Sequence, residues 1–207
     1  MNEPANPTVR LKIERRSNHP WIFQKMVDKP EPRPKPGSVV EIVDRDGTWA
    51  GRGFYNGHSR IALRVLSADP DEAIDEDYFI RKIADATSLR RVVLGLDRFT
   101  DAYRLFHSEG DGLSGLVVDR FGDTLVIEYF SAGMYRVRDL VRRALDVCDA
   151  AKLIGHDLGV AVVILDEQRV QRHARFAISA RSVTKRSTPA VIHEWISLRS
   201  AWRAEVC

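Results

Sequence analysis

The sequence predicts an α+β protein with a small β-barrel in front, a compact α/β unit behind it, and a tail that fits neither. Three observations carry this. Short β-rich runs between residues 9 and 66 are separated by Asp46-Gly47 and Asn56-Gly57, the dipeptides of tight hairpins. Two stretches of helical period, about Tyr78–Gly95 and Met134–Asp149, flank a second strand-rich run punctuated by glycine. Beyond about Ala151 the periodicity fades into an arginine-rich segment with few turn signals. The expected divisions are residues 9–68 for the barrel, 69–150 for the α/β unit and 151–207 for the tail.

At 207 residues, 44% hydrophobic and 29% charged, the chain can bury a core. No apolar run approaches the roughly 18–20 residues needed to span a bilayer. The start, MNEPANPTVRLK, has no apolar signal-peptide core. A cytoplasmic protein without membrane association is expected. Cys148 and Cys207 form no C-x-x-C and no Cys/His cluster, so neither a metal site nor a disulfide framework is expected. Cys148 falls on an apolar helix stripe and reads as a packed thiol.

Charge is uneven. Residues 1–64 carry 12 Lys+Arg against 7 Asp+Glu, whereas residues 65–100 carry 5 against 8. A basic head suits a polyanionic partner, RNA first among them. A solvated surface explains so mild an excess equally well.

In order, Val9–Ile13 alternates as a strand. Pro20 suits a helix beginning at or just after itself. Lys29–Gly37 (KPEPRPKPG) is a stiff, extended connector. Ser38–Val43, Trp49–Tyr55 and Arg60–Leu66 are strands. Asp69–Asp77 is acidic and suits the capping of the next helix, whose stripe is Phe79, Ile83, Ala86, Leu89, Val93 and Leu96. Tyr103–His107, Gly115–Arg120 and Thr124–Phe130 are the central strands, with Phe121-Gly122-Asp123 as a hairpin in which Gly122 takes positive φ. Met134, Val137, Val141, Leu145 and Cys148 form the second stripe. Leu158–Asp166 suits a buried strand.

Two stretches carry a family resemblance. In the head, Leu11, Lys12 and Arg16, then His19 to Phe23, Gly37 to Asp44 and Gly51 to Asn56 resemble a PUA domain. In the centre, SEGDGLSGLVVDRFGDTLVIEYFSAG resembles a run in bacterial PUA-headed, S-adenosylmethionine-dependent methyltransferases that modify a cytosine C5 in large-subunit ribosomal RNA. Here Ser114 replaces that pattern's proline and Phe121 its tyrosine. The resemblance covers about residues 9–148. It implies an RNA-binding pseudobarrel, a large-subunit rRNA substrate and S-adenosylmethionine as cofactor.

That family continues into a Rossmann-like methyltransferase domain, with a glycine-rich cofactor loop and a cysteine that attacks cytosine C6. Neither is seen in this sequence, and Gly155-His156-Asp157-Leu158-Gly159 is a weak substitute. The expectation is therefore the RNA-recognition portion of such an enzyme, truncated or with a tail read in another frame, and not catalytic alone. The alternative is a stand-alone PUA-type RNA-binding module. A homodimer stays open.

The expected RNA contacts are Lys12, Arg15, Arg16 and Arg52 on phosphates, and His19, Trp21 and Tyr55 stacking on unpaired bases. For Trp21 and Phe23 the barrel interior competes with that role. For Arg104 and Arg120 a neighbouring acid competes. Glu109, Asp111, Asp119 and Asp123 read as turn chemistry beside glycine rather than as a metal or acid/base set.

Overall fold

The computed structural model describes residues 6–122 and 124–148 in full, and the backbone of Gly159–Ile164. Five strands form the first sheet: β1 (Thr8–Arg10), β2 (Trp21–Phe23), β3 (Ser38–Val43), β4 (Trp49–Tyr55) and β5 (Ile61–Ser67), in the order β1-β3-β4-β5-β2. β3, β4 and β5 are an antiparallel meander, and β1 lies parallel to β3. The β3–β4 turn is held by Asp44, whose carboxylate accepts from Asp46 N at 2.9 Å and Thr48 N at 3.1 Å. The sheet's two ends meet where Lys12 N bonds Met26 O at 2.9 Å and Asp28 N bonds Arg10 O at 3.0 Å. This closes a barrel around Val9, Leu11, Ile22, Val40, Ile42 and Leu63, all buried.

Pro20 does not open a helix. Trp21–Phe23 is extended and pairs antiparallel with β5, and the only turn of helix there is a 3-10 turn at Gln24–Met26. Period-two alternation decides the outcome, because it sends Ile22 into the barrel core and both flanking rings outward.

Helix α1 (Glu76–Ser88) begins two residues earlier than expected, with Asp75 as its cap accepting from Tyr78 N at 2.9 Å. Phe79, Ile83 and Ala86 are buried as the stripe requires. The stripe then fails. Leu89–Val93 widens into a π turn, closed by Leu94 N to Leu89 O at 2.9 Å, which rotates the following side chains away from the core. Val92 and Val93 are 75% and 71% exposed.

The second sheet runs β6 (Ala102–His107), β7 (Leu116–Phe121), β8 (Thr124–Tyr129) and β9 (Gly159–Ile164), in that order. β6, β7 and β8 are antiparallel neighbours, and β9 joins parallel to β8. Gly122 takes φ 54°, as the short connection demands. The single expected second helix is two: α2 (Ala132–Arg136), capped by Ser131, and α3 (Arg138–Val147). α1 and α3 cover the sheet and bury Leu105, Leu116, Ile127, Met134, Val141 and Leu145. Cys148 is half-buried, its Sγ 3.4 Å from Ile80 O. The rest of the tail lies outside the described residues.

Phe54 and Leu66, on barrel strands, belong to this second core rather than to the barrel's own. Gly133 makes room for the Phe54 ring, which any Cβ there would strike. The two sheets therefore share an apolar seam.

Candidate nucleic-acid interface

Beside that seam lies a polar junction. β2 points Trp21 out of the barrel, and its indole N–H donates to Glu109 Oε1 at 2.7 Å and to Ser114 Oγ at 3.1 Å. Arg64, opposite Trp21 on β5, donates to Ser114 Oγ at 2.9 Å and Glu109 Oε1 at 3.2 Å, and its guanidinium lies 5.3 Å from the indole centroid. Ser114 in turn donates to Glu109 at 2.7 Å. Burial alone would raise the Glu109 carboxyl. Hydrogen bonds from Ser114, Ser108, its own backbone and Trp21 outweigh that and hold it below the usual range. Arg64 is 6% exposed, so this is a buried cation with its partners in place.

The expected RNA residues divide. Lys12 and Arg16 are exposed; Arg16 meets only Glu14, at 2.9 Å, in a pair whose arginine is 84% exposed. His19 is exposed, edge-on to Trp21 with ring centroids 5.2 Å apart, and its Nδ1 accepts from Trp21 N at 3.1 Å. Arg15 is half-buried along the start of β4, donating to Ala50 O at 2.8 Å while its Nε lacks a partner; burial draws its pKa down. Arg52 is engaged throughout: Nε to Glu41 at 2.6 Å, Nη1 to Glu72 O and Nη2 to Pro70 O. Tyr55 is 3% exposed, inside the barrel, with no ring face offered to a base. Trp21 is half-buried under the junction.

Phe23 is exposed at the surface, 37%, not in the barrel interior. Arg33 and Arg60, absent from the expected set, are exposed on the barrel as well. Two adjacent arginines draw the eye in a sequence, and isolated ones do not.

The central arginines are taken. Arg90 clamps Asp111 with two bonds of 2.7 and 2.9 Å, and Arg104 clamps Asp119 with bonds of 2.8 and 3.0 Å. Arg120 and Arg91 share Asp97. Of the acids that read as turn chemistry, Glu109, Asp111 and Asp119 are thus ion-pair partners linking separate elements, while Asp123 lies outside the described residues; Asp111 also braces its own turn, accepting from His107 N at 2.5 Å.

No group of three or more His, Cys, Asp or Glu arranged to hold a metal occurs among the described residues. A crevice lined by Tyr55, Asn56, Ile61, Arg64, Ser131 and Ala132 has room for about one water. It does not fit S-adenosylmethionine, and the described residues are assigned no part in that cofactor's chemistry. No helix among them is long and apolar enough to cross a membrane.

A closed β-barrel joined to an α/β unit through a bonded junction defines the class, and residues 12–68 match the family described as PUA-like domain. Over 133 residues the chain is 41% identical to ribosomal RNA large subunit methyltransferase I of Aliivibrio fischeri, covering 64% of this chain and 33% of the relative. The same enzyme of Aeromonas hydrophila is 42% identical over 127 residues, covering 61% of this chain and 32% of the relative. The chain thus matches about a third of the length of these curated relatives. A solved structure described as a SAM-dependent methyltransferase from Streptococcus mutans superposes with a TM-score of 0.61 at 15% identity, over 88% of this chain and 44% of that one. A second, described as a methyltransferase complexed with SAH, gives 0.62 at 16%, with the same coverage. At such identity these two establish the fold.

Proposed function

We propose that the chain is the RNA-recognition portion of a protein resembling the 23S rRNA (cytosine-C5) methyltransferases, acting in the cytoplasm on structured large-subunit rRNA and not catalytic alone. One observation carries this. The 41% identity runs over 133 residues, more than twice the length of the matched barrel, so it includes the α/β unit as well. Lys12, Arg16 and His19 are the proposed contacts, being the exposed members of the expected set. Trp21 serves by holding His19 in place.

The second reading is a stand-alone PUA-type RNA-binding module, favoured by the barrel's closed core. Titration of the full chain with fragments of large-subunit rRNA, read by anisotropy, separates the two. Saturable binding that prefers those fragments to an unrelated structured RNA supports the first. Equal binding to both supports the second, and no binding to either sinks both. Calorimetric titration of S-adenosylmethionine tests the catalytic clause: micromolar binding would overturn it.

A further inference from the structure

We infer that the barrel carries a base-stacking site for unpaired RNA, made by Phe23 with Arg33 and Arg60 around the Asn56-Gly57 turn. This rests on the RNA reading above and adds a second contact to it. In β2, Trp21 and Phe23 point out of the barrel on either side of the buried Ile22. Trp21 is covered by Glu109 and Arg64; Phe23, on the same face, is not. A lone exposed phenylalanine means nothing by itself. Its surroundings give it meaning.

Gln24 ties the ring's strand to the turn, with N to Arg60 O at 2.9 Å and Nε2 to Gly57 O at 3.0 Å. Ile61, the residue after Arg60, is the cross-strand partner of Phe23. Arg33 comes in from the proline-rich connector, and its Nε would stand 3.3 Å from a Cβ built on Gly57. Unlike the arginines of the central sheet, Arg33 and Arg60 have no ion-pair partner among the described residues. Neither residues 20–27 nor 56–64 contain an Asp or Glu, while Lys25 and His58 add exposed basic groups.

An exposed ring whose strand is tied to a turn flanked by two unneutralised arginines, with no acid in the flanking strands, matches a nucleotide chain with its bases free. The ring takes a base face, and the cations take the phosphates on either side. A duplex hides its base faces and would gain only the phosphate contacts. The neighbouring crevice is too small for a base, so stacking is on the open ring face. An acidic peptide would satisfy the arginines but leave the ring unused.

The test uses the full chain and a single-stranded RNA of about eight nucleotides carrying 2-aminopurine, with a perfect duplex and an acidic peptide as competitors. Expected are quenching of the probe on binding, an affinity loss of ~10-fold for Phe23→Ala, and retention by Phe23→Trp. Arg33→Ala and Arg60→Ala should each lower the salt slope by about one. Thermal melts confirm that each variant folds. If the wild-type chain binds rRNA fragments while Phe23→Ala binds and quenches like wild type, the stacking site is overturned and the RNA reading survives. A duplex or acidic peptide that competes as well as the single strand also overturns it. If no RNA binds at all, the broader reading falls first.

Discussion

Arginine does opposite work on the two sheets. On β6, β7 and the π turn after α1, Arg104, Arg120 and Arg90 are each closed onto an aspartate, two of them through paired hydrogen bonds. On the barrel and its connector, Arg33 and Arg60 are exposed with no ion-pair partner among the described residues, and Arg16 meets Glu14 only in an exposed pair. Counting positive charge along the chain would treat these sets alike. Geometry separates them: a guanidinium already neutralised by a carboxylate has little left for a phosphate, and an open one can displace counterions. On the proposed reading, polyanion contact falls to the barrel, and the central unit holds it in place.

The strongest way to break that division is to attack the seam. Phe54→Ala removes the ring that a barrel strand lends to the second core, and should cost about 3–5 kcal/mol in urea unfolding. Next, Arg90→Ala strands Asp111, with side chains 13% and 9% exposed in the pair, for about 3 kcal/mol by the same measurement. RNA affinity per folded molecule should not move in either case.

A smaller effect comes from Glu109→Gln. The Glu109 carboxyl is held low when folded, so its contribution is present above the unfolded pKa near 4.3 and lost as pH falls through the lower folded value. The variant should lose about 1 kcal/mol at neutral pH, with the gap in melting temperature closing below about pH 4. Arg16→Ala sharpens the comparison from the other side. It should leave the unfolding transition unmoved and reduce the salt dependence of RNA binding by about one phosphate.

Much of the fold was legible because strand period and hairpin dipeptides act locally. Ser38–Val43 and Trp49–Tyr55 match to the residue, and the central strands match to within one. The misses have tertiary causes. Trp21–Phe23 is a strand because β5 is there to pair with it, and the α1 stripe ends early because a π turn changes its phase. The site was less legible still. Arg52 and Arg16 look alike in sequence, yet Glu41 and two carbonyls enclose one, while the other stays at the surface in an exposed pair with Glu14. Ser114, which stands where the resemblance expects proline, sits at the centre of the junction, and no local pattern announces that role.

Phe54 and Leu66 lead to a further point. A barrel that lends side chains to its neighbour's core is no longer a cassette that recombination can move between genes unaltered. Transplanted alone, it would carry a greasy scar at those two positions, and a new host would need its own small residue opposite the ring. Within this lineage, the two units are expected to travel together and change together, with the ring on one side and Gly133 on the other drifting as a pair.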